Sequence, residues 1–220
     1  MIALDLFCGA GGASKGLLDA GFKQVIGIDC VEQPEYFDQE NFKLFNVFDF
    51  LKDADISGIG FIWASPPCQA YSIASASIRN KGKKYPDLVA KTRKLLLKTG
   101  KPFVIENVPG APLRKDLMLC GEMFNLRIVR HRLFEIHRFT CSQLKHPKHK
   151  KTVGPTSGGK HNRSWYMQVS GHGGQSYSHK LKDLQKAMQI NWIQDKKTLA
   201  QCVPPVYAEY IGKEFLRGLK

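Results

Sequence analysis

The stretch MIALDLFCGAGGASKGLLDAGFKQVIGID, residues 1–29, decides the fold. MIALDLF reads as a buried strand and CGAGG as a glycine turn. ASKGLLDAG is a short helix closed by Gly21, and KQVIGID is a second strand ending in an acid. Strand, glycine turn, helix and strand in about thirty residues make a βαβ unit. No basic region precedes the apolar start, and it breaks at the turn, so it reads as a strand and not as a signal peptide.

The alternation continues along the chain. Strands are expected near 43–47, over GFIWAS (60–65), over PFVIENV (102–108) and over RLFEIH (132–137). KTRKLLLKTG (91–100) is an expected helix ending in glycine, and 116–124 is expected to be helical. HKLKDLQKAMQI (179–190) is a short helix, and Pro204–Pro205 open a last one. In that last helix Val206, Tyr210, Ile211, Phe215 and Leu216 recur at helical spacing. The fold class is therefore α/β with an open, mostly parallel sheet. Ligands gather at the carboxyl ends of strands in such sheets. CGAGG, Asp29, Asp49, PPCQ and ENV all stand at those ends.

With 220 residues, 43% of them apolar, the chain suits one moderate domain that buries its own core. The net charge of +14 favours polyanions, nucleic acid first and an acidic membrane surface second. No apolar run reaches the roughly 18–20 residues that span a bilayer, so no spanning helix is expected, and nucleic acid rather than a membrane is the expected partner. Six scattered cysteines without a CxxC point to reduced thiols and a cytoplasmic protein. From 136 to 182 there is no Asp or Glu, against nine Lys or Arg and six of the seven histidines. This basic insert reads either as a solvated loop or as a binding element, with WYMQVSGHGG suggesting a local strand or hairpin. Cys141, His146, His149 and His161 are zinc-ligating types. No CxxC or HxxxH spacing supports such a site, and no metal is expected.

Four motifs could carry chemistry. In FCGAGG (7–12) Ser14 stands where a dinucleotide fingerprint has its last glycine, which points to a smaller adenosine cofactor or to a tight turn alone. Asp29 could then hold ribose hydroxyls, and Asp49 the adenine amino group. In SPPCQ (65–69) two prolines stiffen the path into Cys68. Nucleophile and structural thiol stay level on that local sequence, since a nucleophile also needs positive charge or a helix N-terminus nearby. Glu106, closing PFVI, is a general acid or a salt-bridging acid. In Arg130-His131-Arg132 the two arginines point together and His131 points away, which suits a phosphate and a base carbonyl, or plain solvent exposure.

The four motifs in this order resemble the DNA cytosine-5 methyltransferases: DLFCGAGG, SPPCQAYS, ENVPG and RHRLFE, with AQCVPPVYAEYIG similar to the family's last motif. The resemblance covers 1–137 and about 195–216. It implies a Rossmann-like S-adenosylmethionine-dependent methyltransferase fold over 1–136, a small basic target-recognition insert over 137–182, and C-terminal helices over 183–220 packing back. It implies that Phe7, Gly9, Ala10, Gly11 and Gly12 cradle S-adenosylmethionine with Pro67, Gln201 and Val203. Asp29 takes the ribose position, and Asp49 the adenine position with Phe50 beside it. Cys68 is then the nucleophile that adds to C6 of a flipped-out cytosine, Glu106 contacts N3, and Arg130 and Arg132 match the two family arginines. Ile128 and Gln201 stand where the family has Gln and Asn. The segment 70–91 becomes a lid, with Gln69, Ser72, Arg79, Lys81, Lys83 and Lys84 as nucleic-acid contacts. Lys148, Lys150, Lys151 and Arg163 of the insert join them. The short insert resembles a reduced phage or prokaryotic enzyme, a monomer acting on double-stranded DNA. The same chemistry on tRNA, a binding protein without catalysis, and a thiol hydrolase are the competing functions. The last would require a histidine base near Cys68.

Overall fold

The computed structural model describes residues 1–72, 75–149, 166, 167, 169 and 179–219. Most of the basic insert lies outside the described residues, and with it Lys150, Lys151 and Arg163. The strands are β1 (Ile2–Leu6), β2 (Gln24–Asp29), β3 (Phe42–Leu44), β4 (Ile59–Ala64), β5 (Phe103–Asn107), β6 (Leu117–Leu119) and β7 (Arg132–His137). The helices are α1 (Gly12–Ala20), α2 (Val47–Asp53), α3 (Ala76–Asn80), α4 (Val89–Thr99), α5 (Leu181–Met188), α6 (Lys196–Gln201) and α7 (Pro205–Arg217).

The described strands form one sheet in the order β3-β2-β1-β4-β5-β7-β6. The first five run parallel, and β7 is antiparallel to both β5 and β6. Both faces are buried, which is why the strands read as nearly continuous apolar runs. In β4, Phe61 and Trp63 join the core beneath α1 and α7, while Ile62 and Ala64 join the core on the opposite face with Val89 and Leu96 of α4. The strand order reverses between β1 and β4, so the crevice at their carboxyl ends is the expected ligand position for a doubly wound sheet.

Two glycines of α1 bring the C-terminus back to that crevice. A Cβ at Gly16 would stand 2.0 Å from the Pro205 carbonyl oxygen, and one at Gly12 2.3 Å from that of Val203. Backbone therefore meets backbone where α7 starts. A third cluster joins Leu184, Ala187 and Met188 of α5, Ile190 and Ile193 of the connecting segment, and Leu199 of α6 to Ala10, Leu126 and Ile128. Trp192 Nε1 donates to the Ala10 carbonyl at 3.0 Å and fastens this cluster to the glycine turn.

The expected α/β class and mostly parallel sheet are what the chain adopts. Three local expectations are corrected. The region 116–124 is not helical: Leu117–Leu119 is strand β6 and Gly121–Phe124 a single 3-10 turn. A short apolar run such as LML carries no period that separates the two states, and pairing with β7 decides it. The third strand stops at Leu44, because the Asn46 side chain accepts from Phe48 and Asp49 N–H and starts α2. Asp49 thus lies in the first turn of a helix and not at a strand end.

Overpacking at Gly16 has no flexible neighbour to absorb it. Gly16→Ala is expected to cost about 3 kcal/mol, seen as a lower urea midpoint at unchanged slope. An unchanged midpoint would mean that α1 and α7 separate freely.

Candidate active site

The glycine turn begins with strain. Phe7 has φ 58°, a left-handed conformation that few non-glycine residues adopt, and Gly9 and Gly11 follow at 51° and 86°. The turn is clamped by Asp29: Gly9 N–H donates to Oδ2 at 3.0 Å and Val31 N–H to Oδ1 at 3.1 Å. A carboxylate accepts about four hydrogen bonds, so Asp29 keeps acceptor capacity for a ligand. No atom lies within 4 Å of where a Cβ would stand on Gly9. Gly11 and Gly12 meet close internal neighbours. A Cβ on Gly11 would meet the Phe37 and Tyr36 rings at 2.8–2.9 Å, and Gly12 faces Val203. Both serve close internal packing, and the open approach is over Gly9.

Phe7 packs edge-on to Phe48 at 5.8 Å between ring centroids, and Phe50 edge-on to Phe45 at 6.1 Å. Asp49 is exposed and pairs with Lys52 at 3.3 Å. Pro67 and Gln201 are exposed, Ala10 and Val203 buried. Gly9, Asp29 and Phe7 could hold an adenosine-bearing ligand, and Val203 reaches the turn at Gly12 from the C-terminal segment.

Cys68 follows β4 on a stiff, braced path. Asn107 Nδ2 donates to the Pro66 carbonyl at 2.8 Å, tying the two prolines to the end of β5. The Cys68 carbonyl accepts from Tyr71 and Ser72 N–H at 2.9 Å. Arg79 folds back onto this loop: one guanidinium nitrogen donates to the Gln69 and Ser72 carbonyls at 2.8 and 2.7 Å. Through this nitrogen Arg79 holds the loop after the cysteine. Lys81, Lys83 and Lys84 are exposed on the following loop, as is Lys148 beyond β7.

Glu106 lies at the end of β5, 5% exposed, with Oε1 2.8 Å from Arg132 Nε. Burial raises its pKa, while Arg132, the Ser65 hydroxyl and Arg130 pull it back. Burial also pushes the Cys68 thiol up, Glu106 pushes the same way, and Arg132 and Arg130 oppose them. The thiol, the carboxylate and the two guanidinium groups therefore share one electrostatic environment. The thiol in the free protein is protonated at neutral pH.

The two arginines do not share one task, contrary to the expectation from their alternation. Arg130 is buried, and its guanidinium donates to the carbonyls of Ala200 at 2.7 Å, Cys202 at 2.9 Å and Val169 at 2.9 Å. Burial and the like charge of Arg132 push its pKa down, yet a guanidinium keeps its proton in a protein. Tyr207 Oη donates to the Arg130 carbonyl at 2.7 Å. Arg130 is thus a buried tie, and Arg132 alone faces Glu106. His131 turns to His146 at 2.9 Å, away from Cys68.

Residues 1–119 match the model of the C-5 cytosine-specific DNA methylase family. The chain belongs to that family. The match includes Cys68 and Glu106; Arg130, Arg132 and the C-terminal segment follow it. Solved structures with the same fold include a DNA modification methyltransferase encoded within an E. coli prophage and the Entamoeba histolytica methyltransferase EhMeth. Each has a TM-score of 0.62 and 14% identity, over 100% of this chain and 99% of the other. The S. pombe Dnmt2 methyltransferase aligns over the same shares at 0.61 and 14%. No curated protein matches the chain.

Two residues of this cytosine-5 methylase escaped the sequence reading. Asn107, the middle residue of ENV, holds the Pro66 carbonyl with its side chain. Asp5 is fully buried in β1, accepts from the Ser14 hydroxyl at 2.6 Å, and has its pKa raised by burial to about 7. The signal for Asp5 was a lone carboxylate inside an apolar strand.

Because burial and Glu106 both favour the neutral thiol, alkylation of Cys68 by iodoacetamide should keep accelerating as pH rises beyond the ordinary thiol range. Glu106→Gln removes the negative charge and should move that profile to lower pH. Peptide mass spectrometry at Cys68 reads the rates; a profile shifted upward in the variant would refute the charge assignment.

Proposed function

We propose that the protein methylates C5 of cytosine in double-stranded DNA, with S-adenosylmethionine as donor. The observation that supports this best is Cys68 on its braced loop in the same electrostatic environment as the Glu106–Arg132 pair. When bound, S-adenosylmethionine supplies a methyl group on a positively charged sulfur. Phe7, Gly9 and Asp29 would hold it at the ends of β1 and β2.

The chain's own part follows from the chemistry of cytosine. C5 is a poor nucleophile in the aromatic ring. The Cys68 thiol releases its proton to solvent, its sulfur forms a bond to C6, and the electron pair of the C5–C6 double bond moves toward C5. Glu106 holds the proton at N3 that stabilises this adduct, and a raised carboxylate pKa suits that task. Arg132, paired with Glu106, offsets the negative charge that arrives with the thiolate. After C5 is methylated, its proton leaves, the sulfur–C6 bond breaks and aromaticity returns. The ring must leave the duplex to reach Cys68, at a cost of a few kcal/mol. The net charge of +14 favours the polyanion and makes binding weaken with salt.

Labelled S-adenosylmethionine should pass its methyl group to duplex DNA. Transfer to tRNA alone would overturn DNA as substrate, and no transfer to either would leave a binding protein. A DNA duplex containing 5-fluorocytosine should trap the protein covalently, and Cys68→Ala should abolish the trapped band. Persistence of that band would remove Cys68 from the mechanism.

A further inference from the structure

Outside this crevice the chain gathers four metal-ligating side chains. Cys120 follows β6, His131 stands between Arg130 and Arg132, and His146 and His149 lie on the segment that leaves β7. One ligand atom from each lies within 4.8 Å of all the others. His131 Nε2 is 2.9 Å from His146 Nε2 and 3.3 Å from His149 Nε2, and His149 Nε2 is 4.0 Å from Cys120 Sγ. A tetrahedral zinc with bonds of about 2.0–2.1 Å to nitrogen and 2.3 Å to sulfur has edges of about 3.3–3.6 Å. The four atoms bracket that size.

Their hydrogen-bond chemistry is incomplete without a cation. His149 Nδ1 lies 2.5 Å from Glu122 Oε2. A proton donated there leaves the Nε2 lone pair of the neutral ring facing His131 and Cys120. His131 Nε2 can donate one proton, yet two other ring nitrogens converge on it. A metal ion accepts all these lone pairs at once. The carboxylate behind His149 is the usual outer partner of a zinc-bound histidine, fixing its tautomer and orientation. Glu122 is itself fixed, since Tyr166 Oη donates to its other oxygen at 2.5 Å.

We propose that Cys120, His131, His146 and His149 form a structural Zn²⁺ site that pins the first segment of the basic insert to the strand carrying Arg132. One thiolate and three imidazoles are a borderline-soft set that suits zinc. Four protein ligands fill the tetrahedron, so no position stays open for a reacting water. The ligands come from chain segments 11 and 15 residues apart before the final His146–His149 pair, which is why no short spacing announces them. Cys141, which the sequence also offers as a ligand type, is not part of it, and His161 lies outside the described residues.

The full chain, purified without a chelator or a histidine tag, should carry about one zinc per molecule by mass spectrometry of the metal. Cys120→Ser and His146→Ala should lose it, and Cys141→Ser should keep it. With cobalt substituted, the wild-type protein should show the intense visible bands of a tetrahedral ion and a sulfur charge-transfer band, the latter missing in Cys120→Ser. That spectrum answers the question even if a variant fails to fold. Wild-type protein that holds no metal after dialysis from excess zinc would overturn the site. So would an octahedral cobalt spectrum, or zinc kept by Cys120→Ser and lost by Cys141→Ser.

Discussion

The buried guanidinium of Arg130 holds the functional end of the molecule together. It binds carbonyls at Val169, Ala200 and Cys202, 39 to 72 residues further along the chain. Val169 belongs to the insert, and Ala200 and Cys202 to the end of α6. A charge taken out of water needs such partners, and removing the charge would strand three acceptors instead. The tie therefore fixes where the C-terminal segment runs. It also sets the start of β7 so that Arg132, two residues on, faces Glu106.

The close contact of α1 with the start of α7 works with that tie. Gly12 and Gly16 let backbone approach backbone, so the last segment passes beside the glycine turn. Polar groups then finish the fit: Trp192 caps the Ala10 carbonyl and Tyr207 the Arg130 carbonyl. Residues nearly two hundred positions apart thereby line one crevice at the reversal of strand order.

Much of this was legible in the sequence. The βαβ start, the strands around PPCQ and ENV, and the last helix are written in apolar runs, glycines and prolines, which act locally. The order of four motifs identified the family, which no single motif could. What stayed hidden depends on contacts distant in sequence. Strand β6 exists because β7 lies beside it, and Arg130 looked like a site residue because alternation says where a side chain points but not what it meets. The hold of Arg79 on the loop after Cys68 was hidden too, because its acceptors are backbone carbonyls, which no residue type signals. The cysteine and three histidines around position 131 were separated by the same rule: ligands are recognised by spacing only when they are neighbours in the chain.

The protonated state of Cys68 has a consequence for the protein's lifetime in a cell. Peroxides attack thiolates, and the first step toward irreversible sulfur acids begins there. Burial and the Glu106 charge keep the sulfur in its sluggish form while no base is bound. In the proposed reaction a pyrimidine ring nitrogen engaging Glu106 would remove that opposing charge and leave burial alone against Arg132 and Arg130. Reactivity would then appear in step with the substrate, so that an idle molecule is spared the oxidation to which an always-ionised cysteine is exposed.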